Sequence, residues 1–209
     1  AEEDRSVNGN GLQVFGTVTK TAVATGADLV AYSGFSASNY LQQNLDWTIG
    51  TGDFTFSFWV NPVAAAGTYF HAISIGTETT GGQNSTTGIV LKLANSNSSP
   101  YFYTAASGAS QSTYNVNNAL SAGTWTQLVC GRKSGVFYIY INGVLAQTGS
   151  SNSFNISDTV LMIGRGAGHD EFVGGTKLAL LRISKTAPTA EQIAKIYNDE
   201  KHLFSTNAK

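Results

Sequence analysis

The run Phe54-Thr55-Phe56-Ser57-Phe58-Trp59-Val60 places an apolar residue at every second position over seven residues. Successive side chains of a strand point to opposite faces, so this period of two reads as a half-buried β-strand. Ile89, Leu91 and Leu93 alternate with Val90 and Lys92 in the same way. Trp125 to Cys130, Val136 to Ile141, Val160 to Ile163 and Leu178 to Ile183 are further strand-length stretches of β-branched and aromatic residues. Asn142-Gly143 follows Val136 to Ile141 and precedes Val144-Leu145-Ala146. Both turn residues tolerate positive φ, as a type I′ hairpin requires. Segments 76–88, 95–100, 104–118, 149–153 and 164–175 are rich in Gly, Ser, Thr and Asn and read as loops. Many short strands with this punctuation predict an antiparallel β-sandwich, and no helices intervene to build parallel βαβ units.

One helix is predicted near the end of the chain. Thr189 is a good N-cap and Gln192 stands three residues on, the pattern of a capping box. Ile193, Ile196, Tyr197 and Glu200 share one face, while Glu191, Lys195 and Asp199 form the opposite, solvated face. The helix is expected to pack its apolar face on a sheet. Val14-Phe15-Gly16-Thr17-Val18-Thr19, with Gly9, Gly11 and Gly26 around it, reads as one or two leading strands or as a connector within residues 1–28.

Composition narrows the function classes. The chain has 209 residues, enough for one β-rich domain, and it is 12% charged and 11% aromatic, which excludes disorder. A net charge of -1 offers no field to hold a polyanion, so nucleic acid is not an expected partner. No apolar run approaches the roughly 18 residues of a membrane span, and the polar start Ala1-Glu2-Glu3-Asp4-Arg5 is not a signal peptide. The single cysteine, Cys130, permits no intramolecular disulfide and reads as a small buried hydrophobe. Asn84, Asn97 and Asn155 begin glycosylation sequons, as chance allows in a chain rich in Asn, Ser and Thr.

Several of these segments resemble one family. Gly52-Asp53-Phe54-Thr55-Phe56-Ser57-Phe58-Trp59-Val60, Gly123-Thr124-Trp125-Thr126-Gln127-Leu128-Val129 and Tyr138 to Leu145 look like three strands of laminin-G-like, concanavalin A-like lectin/glucanase domains. Leu161-Met162-Ile163-Gly164, then Phe172, Gly174 and Leu178 to Ile183, and finally Ala190-Glu191-Gln192-Ile193 resemble the later motifs in the family's order. The resemblance implies an all-β fold, a two-sheet antiparallel jelly roll over residues 29–204, closed by one short helix, with 205–209 as a frayed tail. The leading Asp4 to Gly11 segment also resembles modules of viral, especially bacteriophage, tail and fibre proteins. That implies a virion-surface, extracellular location, and a homotrimer is an open possibility. Many members of the family bind calcium near the sheet rim. Here Ala179 and Leu180 stand at the family's Asp and Glu, and Asn142 stands at its Asp, so an inherited calcium site is weakened and no cofactor is expected.

Catalysis is not expected. Glycoside hydrolysis needs two carboxylates about 5–9.5 Å apart, and no predicted strand carries acids at i and i+2 or i+4. His71, His169 and His202 sit in unrelated contexts without a Gly-x-Ser-x-Gly nucleophile elbow, and no phosphate-binding glycine fingerprint follows a strand. Two ligand surfaces are candidates. The first is the loop Gly164 to Glu171, where Arg165, His169, Asp170 and Glu171 could bind sugar hydroxyls or a carboxylated sugar, joined on the same rim by Gln83 and Asn84 of segment 76–88. The second is a platform of Tyr101, Tyr103, Tyr138 and Tyr140, if their strands are neighbours, with rings suited to the apolar side of a pyranose. Trp47, Trp59 and Trp125 read as core. The leading expectation is a non-catalytic adhesion module that binds a glycan or another host-surface receptor. A structural module contacting other virion subunits is the alternative, and a glycanase the third.

Overall fold

A computed structural model describes residues 11–63, 69–76, 88–94, 99–104, 112–151, 153–166 and 175–205. In chain order its strands are β1 (Gln13–Phe15), β2 (Thr19–Ala22), β3 (Val30–Ser33), β4 (Tyr40–Asn44), β5 (Phe54–Asn61), β6 (Tyr69–Ile75) and β7 (Ile89–Ala94). They continue as β8 (Ser99–Thr104), β9 (Ser112–Asn115), β10 (Thr126–Lys133), β11 (Val136–Ile141), β12 (Val144–Ser151), β13 (Val160–Ile163) and β14 (Lys177–Ser184). Helix α1 (Ala190–Glu200) and a 3-10 turn (Lys201–Phe204) follow. The strands form two seven-stranded sheets, ordered β1-β4-β13-β6-β7-β8-β9 and β12-β11-β10-β5-β14-β3-β2. Every strand pairing is antiparallel. This is the jelly roll the sequence predicts.

The alternation sets the core. Phe54, Phe56, Phe58 and Val60 of β5 meet Ile73, Ile75, Leu91, Leu93 and Phe102 of the facing sheet in one buried cluster. Phe54, Phe102 and Phe137 meet edge to face with ring centroids 5.4–6.2 Å apart. Burying each such ring contributes about 1.5–3 kcal/mol. Strand β5 departs from expectation in one respect: it is buried on both faces. Its outward Trp59 is covered by Tyr197 of α1 and Phe204, whose rings lie 5.8 and 4.1 Å away. The helix begins where predicted, because Thr189 Oγ1 accepts from the Gln192 amide at 3.2 Å and Gln192 Oε1 accepts from the Thr189 amide at 2.8 Å. Ile193 and Glu200 are its buried residues, as the spacing requires.

The hairpin forms as read, with φ 51° at Asn142 and 80° at Gly143. Three loop expectations are corrected. Segment 104–118 contains strand β9, which pairs with β8 and buries Tyr114 against Phe137 at 5.0 Å. Segment 149–153 carries the end of β12, through Ser151, and segment 95–100 the start of β8. In each case pairing to a neighbouring strand outweighs a composition that favours turns. The leading residues supply an outer strand to each sheet, β1 beside β4 and β2 beside β3.

A rim depression around Trp47

Strand β5 begins at the end of the sandwich where β14 finishes, since Ser184 pairs with Thr55. The β4–β5 connector (45–53) and the β14–α1 connector (185–189) therefore meet on one rim. Buried Arg132 of β10 holds the first of these in place. Its Nε donates to Gly52 O, its Nη2 to Gly50 O and its Nη1 to Phe154 O, each at 2.8 Å. The guanidinium lies 5.3 Å from the Phe54 ring centroid. Burial pushes its pKa below the ordinary value, and the Asp53 charge opposes that. Asp53 Oδ1 also accepts from the Ser134 amide at 2.7 Å, and Gly50 and Ile156 exchange backbone bonds at 2.8 and 3.0 Å. The connector is thus pinned along its second half.

Its first half presents Trp47. The indole packs one side against the core cluster and is half-buried. Lys185 Nζ sits 4.9 Å from its ring centroid. Asp46, Trp47, Ile183 and Lys185 line a depression of about 360 Å³, the size range of a small-molecule pocket. Asp46 is the acid in that lining, and both Asp46 and Lys185 are exposed. A second depression of about 340 Å³ lies across the same β14–α1 connector, lined by residues that include Lys133, Tyr138, Tyr140, Leu145 and Pro188.

The sequence-predicted residues that are described lie on both sheets. Strands β8 and β11 belong to different sheets. Phe102 and Phe137 meet in the core, so their neighbours Tyr101 and Tyr138 face away from each other, out of opposite faces. The expected four-tyrosine platform therefore does not form. Tyr138 is 7% exposed, and its hydroxyl is hydrogen-bonded to Thr55 Oγ1 at 2.6 Å. Tyr140 meets Tyr138 edge to face at 5.7 Å and lines the second depression. Tyr101 packs edge-on against Tyr69 at 6.0 Å. The backbone of Tyr103 pairs with Val90 and Thr113.

Arg165 lies just beyond β13, its guanidinium 4.6 Å over the Tyr40 ring, which is itself stacked on Phe15 at 4.5 Å. His169, Asp170, Glu171, Gln83 and Asn84 lie outside the described residues. Gly76 N donates to Val160 O at the start of β13 and Gly164 N to Ala72 O past its end, and the rest of the two segments expected to share a rim lies outside the described residues. Trp47, read as core, does pack on the core cluster, and sequence reasoning did not foresee that it also lines a depression. Its signal was a Trp beside an Asp in Leu45 to Gly50, a stretch with no period of two.

The family's acid positions have other uses here. Ala179 is buried in the cluster with Trp59, and Leu180 takes φ 49° at a bulge in β14. Asn142 Oδ1 accepts from the Gln127 amide at 2.9 Å. Among the described residues no three His, Cys, Asp or Glu side chains gather. Cys130 is fully buried, and burial pushes its thiol pKa up, so it holds its proton.

Comparison with known proteins agrees with the architecture. The laminin G 3 family, described as concanavalin A-like lectin/glucanases superfamily, matches residues 33–194. No curated protein matches the sequence. Among solved structures, the botulinum neurotoxin type G receptor binding domain superposes with a TM-score of 0.70 at 15% identity, covering 95% of this chain and 48% of that one. The binding domain of botulinum neurotoxin DC in complex with rat synaptotagmin II gives 0.68 at 16%, with 94% and 48% covered. The same domain in complex with SialylT gives 0.69 at 17%, again with 94% and 48%. This chain spans about half the length of those structures, and the likeness is one of fold. With the family matched over most of its length and both sheets in place, the chain belongs to the concanavalin A-like lectin/glucanases superfamily.

Proposed function

We propose that this chain is a non-catalytic recognition module that binds a glycan on a host-surface receptor through the depression around Trp47. The observation that carries the reading is the depression itself. It combines a partly exposed indole and a carboxylate on the connector that Arg132 holds with an ammonium group from the β14–α1 connector beside it. Aromatic faces suit the C–H side of a pyranose, and charged side chains bond its hydroxyls. Sites on loops held by a rigid scaffold are where recognition concentrates. A glycosidase would need a second carboxylate facing Asp46, and among the described residues Asp46 lines the depression as its sole acid. The fold neighbours are named as binding domains, one in complex with synaptotagmin II and one with SialylT, which supports receptor or glycan recognition by this architecture. The setting proposed is an extracellular one, a viral tail appendage, supported by the resemblance of the leading segment.

A glycan array tests the reading. The chain should bind a defined set of glycans, and Trp47→Ala should lose that binding while circular dichroism shows the chain still folded, with a thermal midpoint lowered by the packing lost against the core. Binding that survives Trp47→Ala would contradict it.

A second reading, an assembly module contacting other subunits, is favoured by β12. This sheet-edge strand has eight residues without charge or proline, and Val144 and Leu145 are 69% and 48% exposed. Such an edge is a template for pairing with another chain. Concentration-dependent sedimentation that Leu145→Lys abolishes would support that reading.

A further inference from the structure

We infer that the Trp47 depression selects a saccharide carrying one anionic group, a carboxylate or a sulfate, over its neutral counterpart. The inference rests on the glycan reading above and names the ligand class of that site.

Three observations carry it. First, Lys185 and Asp46 line the same depression, yet no ion pair joins them. The Lys185 ammonium instead lies over the indole at 4.9 Å. Second, Trp47 packs against the core cluster yet keeps part of its indole exposed, and a sugar stacking on the ring face that carries Lys185 meets the ammonium there. A pyranose stacking there must displace the ammonium and lose its contact with the ring. A neutral sugar gives nothing back to the displaced charge. An anionic group on the sugar pairs with it, and the exposed lysine stem is long enough to swing out while keeping its charge in water. Third, the depression of about 360 Å³ has one cation, Lys185, and one acid, Asp46, in its lining. Asp46 accepts hydrogen bonds from neutral hydroxyls and opposes a second anion on its own side.

Competitive binding of methyl glucuronide, methyl glucoside 6-sulfate and methyl glucoside, measured by titration calorimetry on the intact chain, tests the inference. The glucuronide, the sulfate or both should bind about threefold to fivefold more tightly than the neutral glucoside, as one exposed ion pair supplies. Which anion leads identifies the source of the charge. Lys185→Met, exposed and therefore expected to keep the wild-type thermal midpoint, should erase that preference by weakening the anionic ligands. Raising the salt concentration on the unmodified chain should erase it as well. Equal or tighter binding of the neutral glucoside, or an anion preference that survives both Lys185→Met and high salt, overturns the inference while leaving glycan recognition intact. Absence of binding by any saccharide, on this titration and on the array, overturns the glycan reading and the inference with it.

Discussion

The Trp59 indole Nε1 donates to Glu200 Oε2 at 2.8 Å, joining the sixth residue of β5 to the last residue of α1. Arg182 of β14 bridges the other carboxylate oxygen, Oε1, at 2.6 Å. One buried acid thus ties the closing helix to two neighbouring strands of the sheet it covers. Trp59, inside the alternating run, is covered by that helix and by Phe204 of the 3-10 turn that follows it.

Glu200→Ala should lower the unfolding free energy by about 1.5–3 kcal/mol, the range for a hydrogen bond to a charged partner plus an orphaned buried donor. The Arg182 side chain is 49% exposed, so its bridge adds little to that figure. Urea unfolding followed by tryptophan emission checks this. A loss below about 0.5 kcal/mol would mean that the helix docks without the acid.

Arg132→Met should cost more, on the order of 3–5 kcal/mol, because it removes the buried donor of three hydrogen bonds to partly buried backbone carbonyls. Arg132→Lys should recover only part of the loss, since one ammonium cannot reproduce a planar fork. Both variants should also loosen the connector that carries Trp47, which amide exchange at residues 50–53 reports.

Stability should fall at alkaline pH. Burial, the leading cause in each case, raises the pKa of the Cys130 thiol and the Tyr138 hydroxyl. A group raised in the folded state contributes fully below its unfolded pKa and loses that contribution as pH climbs toward the folded one. The ordinary values are 9.0 and 10.0, so the decline begins near the first and steepens past the second. Each group adds about 1.4 kcal/mol per pH unit once it ionises in the unfolded chain. Denaturant midpoints between pH 8 and 11 measure it, and Tyr138→Phe should flatten the upper part. Thiol reagents should label Cys130 only on unfolding.

The strands that were legible are β5 and β7, by their alternation, and β10, β11, β13 and β14, by their runs of β-branched and aromatic residues, together with the capped helix and the Asn142-Gly143 turn. Strand β9, Ser-Thr-Tyr-Asn, was not legible, because one buried ring and three polar neighbours carry no period. Strand β4 likewise hides in Tyr-Leu-Gln-Gln-Asn, where two buried residues followed by three polar ones carry no period. The sites were less legible for a topological reason. Side-chain alternation shows that Tyr101 and Tyr138 lie on strand faces, but not that their strands belong to opposite sheets. Trp47 lies in a connector, where function depends on which other connector arrives beside it. Pairing Ser184 with Thr55 brings Lys185 there, and no local pattern encodes that meeting.

Asn142→Asp restores the family's acid at the hairpin. The change keeps the acceptor for the Gln127 amide, so stability should stay within about 0.5 kcal/mol. It should not create a calcium-dependent thermal shift, because the other two family positions, Ala179 and Leu180, pack in the apolar cluster beneath the helix. A calcium-dependent rise in thermal midpoint would show that oxygen ligands are supplied from elsewhere on the rim.

The account turns on the location of recognition, and chemical-shift mapping with a saccharide identified on the array addresses that most directly. The account predicts that the Trp47 indole Nε1–H and the amides of Asp46, Ile183 and Lys185 shift together, while the Trp59 and Trp125 indoles stay fixed. Shifts centred instead on Arg165 and Tyr40, or on Tyr101, with Trp47 unmoved, would contradict it.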